Sequence, residues 1–179
     1  MTKRVTIRGQ KDIYRYQQEI LTSAEETQIK VCELAGSEES MELFYRMKFE
    51  EIGCDPLDSS RRLNLIEQIN QTFTYAASLK AAEYLLKHHI GLRSLTLNLG
   101  TRSGWDIETS EDGGLVAEVF ASVHPRNNRK LEKNIQKVAA AEAKHRYVFF
   151  MCPGLEPGPY REKPWPLGVE VVSLGCDLP

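Results

Sequence analysis

Leu115-Val116-Ala117-Glu118-Val119-Phe120-Ala121-Ser122-Val123 is an apolar or small run interrupted by one charge, Glu118. That composition predicts a strand covered on both faces. A carboxylate inside such a strand is costly unless something compensates it, and a metal ion or a cluster of hydrogen-bond donors is the usual compensation. Working backwards, Ser110-Glu111-Asp112-Gly113-Gly114 reads as a turn, preceded by a strand at Trp105-Asp106-Ile107-Glu108. Asp106 is therefore the nearest carboxylate partner for Glu118, and Glu108 shares its strand face. Earlier still, Leu95, Leu97 and Leu99 alternate with Thr96 and Asn98, and Gly100-Thr101-Arg102-Ser103-Gly104 makes a glycine-bounded connection. Three strands joined this tightly predict an antiparallel meander.

Forward from Glu118, His124-Pro125 ends the strand and Asn127 or Asn128 offers a cap to a helix expected to reach about Lys144. Leu131, Ile135 and Val138 give that helix its sheet-facing side, while Lys130, Lys133 and Lys137 form a basic stripe. Tyr147-Val148-Phe149-Phe150-Met151 is a buried strand by composition. A Pro/Gly-rich loop from Pro153 to Gly168, carrying Tyr160 and Trp165, leads to a last strand at Val169 to Leu174. That loop reads either as a contact arm or as a long surface connection.

Upstream of the meander, Asp58-Ser59-Ser60 offers N-caps to a long helix expected to run to about His89. Its uncharged middle, Gln68 to Leu79, predicts burial. Ser60, Asn64, Glu67, Gln71, Thr74 and Ser78 line up at spacings of three and four, which predicts a cleft wall or an internal hydrogen-bond network. Residues 1–57 read as an N-terminal extension packed on a core of 58–179, with a strand at Val5-Ile7, a charged segment through Glu25-Glu26 and a helix near Ser40 to Ile52. Gly53-Cys54-Asp55-Pro56 is expected to stop that helix.

The 179 residues suit one domain of ordinary size with a small extension. Lys+Arg 23 against Asp+Glu 25 leaves a formal net charge of -2, so nucleic-acid binding would need a local basic patch. Cys32, Cys54, Cys152 and Cys176 show no CxxC pair and no cysteine–histidine ligand spacing, the pattern of free thiols in a reducing cytoplasm. The N-terminus lacks a signal-peptide core, and no apolar stretch approaches the roughly 20 residues that span a bilayer. A soluble, cytoplasmic protein without membrane contact is expected. His88 and His89 read as helix-end residues that favour the dipole. There is no GxSxG elbow, phosphate-binding glycine loop or HExxH.

Helix, three strands, helix, strand, with Asp106 and Glu118 in the second and third strands, resembles the PD-(D/E)xK restriction-endonuclease-like superfamily over about Ser59 to Leu174. The resemblance implies an α/β fold: a three-layer sandwich whose mixed central sheet has an αβββαβ core. It implies that Asp106 and Glu118 bind magnesium or manganese and that Glu67, on the leading helix, completes the site. Hard oxygen ligands suit such an ion, which polarises a phosphodiester and generates hydroxide from water. The family places a lysine two residues after the glutamate, where this chain has Phe120. Some members move the basic group to a neighbouring element, which here would be Lys130 or its stripe companions; a solvated face is the alternative role for these lysines.

Two functions follow from the resemblance: a metal-dependent endonuclease that hydrolyses DNA, acting alone or as a homodimer, or a catalytically degenerate module that binds nucleic acid or a protein partner. The residues themselves leave alternatives open. Asp106 reads equally as a strand-end aspartate bonded to a backbone amide, and Glu118 as a buried glutamate paired with Arg102, Arg126 or a lysine. Trp105 could stack on a base or pack against the sheet.

Overall fold

The computed structural model describes residues 3–37, 39–100 and 104–176. In chain order the elements are β1 (Lys3–Ile7), α1 (Gln10–Ser37), α2 (Ser40–Phe49), β2 (Gly53–Asp55), β3 (Asp58–Leu63), α3 (Leu65–His88), β4 (Leu95–Leu99), β5 (Ile107–Thr109), β6 (Leu115–Ala121), α4 (Lys130–Ala139), β7 (His145–Met151), β8 (Gly158–Pro159) and β9 (Val169–Ser173). Short 3-10 turns occupy Glu111–Gly113 and Asn127–Arg129. The chain divides into two compact units, Met1–Ile13 with Ala77–Pro179, and Tyr14–Ala76.

The first unit holds a mixed seven-stranded sheet in the order β1-β4-β5-β6-β7-β9-β8. β1, β4, β5 and β6 pair antiparallel, and β6, β7 and β9 run parallel. The meander expected from the alternation is thus present, and α4 supplies the crossover that a parallel β6–β7 pair requires. The register aligns Val5, Leu97, Ile107, Ala117 and Tyr147 in one buried row. On that side Tyr84 of α3 packs edge-on against Phe149. The intervening residues Phe120, Val148 and Phe150 face the other way and cluster with Leu131, Ile135 and Val138 of α4. Burying each of these three α4 side chains contributes roughly 1.5–3 kcal/mol. Tyr160 and Trp165, from the Pro/Gly-rich loop, fold back onto the same cluster, with Trp165 Nε1 donating to the Tyr160 carbonyl at 2.8 Å.

α4 is shorter than its pattern suggested. It starts at Lys130 because Asn128 and Arg129 adopt left-handed backbone, φ 53° and 55°. It ends at Ala139, and by Lys144 the chain is already tied to the Asp112 turn: Lys144 N–H donates to the Gly113 carbonyl and His145 N–H to that of Gly114.

The second unit contains most of α1, all of α2, the β2–β3 hairpin and the first half of α3. Here the structure corrects two readings. Asp58-Ser59-Ser60 does not cap a helix; it lies in β3, and Asp58 Oδ1 accepts from the Ser60 amide and hydroxyl at 3.2 and 2.6 Å. Instead Asn64 caps α3, its Oδ1 accepting from Glu67 N–H at 2.9 Å. α1 is a 28-residue helix where only a charged segment was anticipated. Its buried positions Ile13, Ile20, Ser23 and Thr27 keep helical spacing, but two of the four carry hydroxyls, so the apolar stripe is broken.

Those hydroxyls serve Gln68, one position away from the polar stripe read on α3. Its Oε1 accepts from Thr27 Oγ1 at 2.9 Å and Cys54 N–H at 3.1 Å, and its Nε2 donates to the Ser23 carbonyl and Oγ at 3.2 Å. A methyl group at Gly53 would stand 1.9 Å from Gln68 Oε1. Gly53→Ala must therefore push the amide out of this network, and each buried group left unpaired costs about 1–3 kcal/mol. The expected result is a stability loss of about 2 kcal/mol in urea denaturation; an unchanged midpoint would show that the network tolerates the shift. Among the described residues no helix is long and apolar enough to cross a membrane, and all four cysteines are free.

Candidate functional site

The β5–β6 register pairs Ile107 with Ala117, which brings Asp106, just before β5, beside Glu118 in the middle of β6. Two backbone hydrogen bonds lock the pair: Val119 N–H donates to Asp106 Oδ2 at 2.8 Å, and the Asp106 amide donates to the Glu118 carboxylate. Glu118 is 6 % exposed. Burial pushes the Asp106 carboxyl above its ordinary value, against the Val119 hydrogen bond and the fields of Lys137 and Lys130. Glu118 is also pushed up, by burial first and then by the negative charge of Asp106, with Lys137 opposing.

Among the described residues, Lys137 is the cation in contact with this pair. Its Nζ lies 2.5 Å from Glu118 Oε1 and 2.6 Å from the Gly104 carbonyl, and 5.0 Å above the Trp105 ring. Lys130 Nζ stands 5.4 Å over the Phe120 ring. Phe120 itself is fully buried in the α4 cluster, so the strand position two residues after Glu118 serves packing. Among the described residues one ammonium contacts these two acidic groups, whose oxygens are the hard donors that magnesium or manganese would require.

α4 covers β6, β7 and β9 on this face. Beyond β6 the same face carries Thr96, Asn98 and Glu108, only half-buried, and a groove lined by Arg4, Thr96, Trp105, Glu108 and Val116 runs along it. Glu118 lies on β6, the strand between this half-buried edge and the strands under α4, and is itself buried. Trp105 both packs at the edge of the α4 cluster and lines this groove.

The remaining sequence candidates are distributed differently. Glu67 belongs to the other unit, exposed on the first turn of α3. Glu108 pairs with Arg4, and Arg126 pairs with Glu162 rather than with Glu118. Arg102, with Thr101 and Ser103, lies outside the described residues. His88 and His89 point apart: His88 stacks on Tyr84, whereas His89 Nε2 meets the Tyr147 hydroxyl at 2.9 Å. His89 also comes together with Asp112 and His145, a grouping that helix-end reasoning did not reveal.

The raised carboxyls set a pH dependence for the metal-free protein. Between the unfolded carboxylate value of roughly 4 and the raised folded values, the folded state holds more protons than the unfolded one. Stability contributed by these two groups is therefore greatest at low pH and falls as pH rises through that window. Urea midpoints across the acidic range should show this fall in wild type and a smaller one in Asp106→Asn/Glu118→Gln; superimposable profiles would mean that neither carboxyl is perturbed. Comparison with protein-family models, with curated proteins and with solved structures finds no match.

Proposed function

We propose that this chain is a metal-dependent endonuclease-like protein that hydrolyses DNA phosphodiester bonds, a variant of the PD-(D/E)xK type whose basic group comes from α4. The observation that carries the reading is the convergence of Asp106, Glu118 and Lys137 beside Trp105, whose ring lines the groove. In it, Asp106 and Glu118 hold magnesium or manganese, and the bound ion supplies Lewis-acid polarisation of the phosphate and a nucleophile from water. Lys137 takes the place of the strand lysine: its ammonium, already in contact with Glu118, stabilises charge developing on phosphate oxygens or steadies the attacking water by hydrogen bonding. Trp105, on the groove wall, would offer a ring for a base. Lys130 adds positive field near Asp106. A homodimer would present two such sites to two strands. The four free thiols suit a cytoplasmic setting.

A second reading, a degenerate module that binds nucleic acid or a protein partner, is favoured by Phe120 in the core and by the direct neutralisation of Glu118 by Lys137. Magnesium and manganese titrations combined with plasmid cleavage separate the two. For the nuclease, wild type binds the ion and cuts. Lys137→Met then retains ion binding and loses about 10²–10³-fold in rate, the usual cost of removing one donor that stabilises developing charge. Ion or DNA binding without cleavage in wild type supports the module. Cleavage undiminished in Lys137→Met removes that residue from the chemistry.

A further inference from the structure

We propose that His89, Asp112 and His145 form a zinc site, distinct from the carboxylate pair and independent of the nuclease reading. Each residue offers one ligand atom, and the three atoms lie within 4.8 Å of one another. They come from three places in the sheet-bearing unit: the residue that follows α3, the Glu111–Gly113 turn and the first residue of β7. Two imidazoles and one carboxylate are the donor set of a borderline-soft, four-coordinate ion, with the fourth position left to water. Oxygen-seeking magnesium has no preference for it.

The surrounding contacts are those a metal site needs. Tyr147 donates its hydroxyl proton to Glu170, so toward His89 it accepts; Nε2 of His89 then carries the hydrogen and Nδ1 keeps the lone pair. Such a carboxylate-backed relay orients a ligating histidine. Lys144 Nζ holds Asp112 Oδ1 at 2.8 Å, while Asp112 Oδ2 faces His145 Nε2 at 3.1 Å. The His89 and His145 rings stand 4.5 Å apart, edge to face. An ion would replace the Asp112–His145 hydrogen bond by two coordinate bonds and leave Lys144 in place as a partner of the outer oxygen.

The site is separate from the carboxylate pair. His145 precedes by three residues Val148, whose register partner is Glu118, a separation of about 10 Å along the strand. The odd spacing also puts His145 on the opposite sheet face, with Tyr147. Zinc there would pin the end of α3 and the Asp112 turn to the start of β7.

The test is calorimetric titration of Zn²⁺ into the metal-stripped full chain, with Co²⁺ as the spectroscopic probe. Wild type should bind one ion and gain thermal stability, and the cobalt spectrum should lack thiolate charge transfer. His145→Ala, His89→Ala and Asp112→Ala should each weaken binding by more than the roughly 100-fold that losing a hydrogen-bond partner of a ligand costs. Asp112 is an exposed turn residue, so Asp112→Ala keeps the test usable if a histidine variant fails to fold. Asp106→Ala/Glu118→Ala should retain zinc binding. No zinc binding at micromolar concentration, or binding that survives Asp112→Ala and His145→Ala, would overturn the site; a cobalt–thiolate band would move the ion to the cysteines.

Discussion

Glu118→Gln is expected to abolish metal-dependent cleavage while leaving the fold as stable as wild type, or slightly more so. The two halves of this prediction have different causes. If Glu118 holds the ion as proposed, a neutral amide in its place costs more than the roughly 100-fold typical of losing a ligand's hydrogen-bond partner. As a structural residue, it is a desolvated carboxylate next to another negative charge, and its folded-state pKa is raised for both reasons. Glutamine keeps the shape and relieves the repulsion with Asp106. Lys137, whose side chain is 44 % exposed, can turn to water when its partner is neutral. The stability change should therefore stay within about 1 kcal/mol near neutral pH, with its sign toward stabilisation. Plasmid cleavage and urea denaturation on the same preparation read both halves. Retained cleavage would remove Glu118 from the site, and a loss of several kcal/mol would identify it as a purely structural ion-pair member.

Asp55→Ala should be the most destabilising single substitution of its unit. Asp55 is 4 % exposed and accepts from three donors, Leu57 N–H, Arg61 Nη1 and the Tyr75 hydroxyl, each at 3.0 Å. Tyr75 is itself 1 % exposed, and its hydroxyl is pushed far above its ordinary pKa by burial and by Asp55. Alanine would strand the hydroxyl and the amide in the interior; Arg61, one-third exposed, recovers water more easily. The expected cost is about 3–5 kcal/mol. The double variant Asp55→Ala/Tyr75→Phe should be less unstable than the sum of the singles, because the phenylalanine removes the group the first change orphans. Chemical denaturation of the four proteins closes the cycle. Strict additivity, or a loss below about 1 kcal/mol for Asp55→Ala, would mean that water enters and takes over the carboxylate's role.

The parts of the chain whose pattern follows from burial were legible before the structure. β4 alternates because one face is covered, β6 is apolar throughout because both faces are covered, and α4 shows Leu131, Ile135 and Val138 at helical spacing. The adjacency of Asp106 and Glu118 also follows from a tight meander. What escaped reading depends on polar burial or on tertiary register. α1 hides its inner face behind Ser23 and Thr27, and β3, Asp58-Ser59-Ser60-Arg61-Arg62-Leu63, carries the residues that elsewhere cap helices. Lys130, Lys133 and Lys137 form one stripe in sequence, but only the docking of α4 decides that Lys137 meets Glu118. His89, Asp112 and His145 have no spacing motif, since three separate chain segments bring them together.

A lysine built into β6 would travel with the glutamate as part of one strand. Here the cation is carried on a separate ten-residue helix, clamped to the sheet by Leu131, Ile135 and Val138. Positive charge therefore reaches the carboxylates only while that clamp holds, and any transient lifting of the helix withdraws it and wets both acids at once. The electrostatic state of the centre becomes a readout of α4 docking: amide-exchange protection along Lys130–Ala139 and the titration of Asp106 and Glu118 should rise and fall together, and core substitutions such as Ile135→Ala should alter the charge at a site that they never touch.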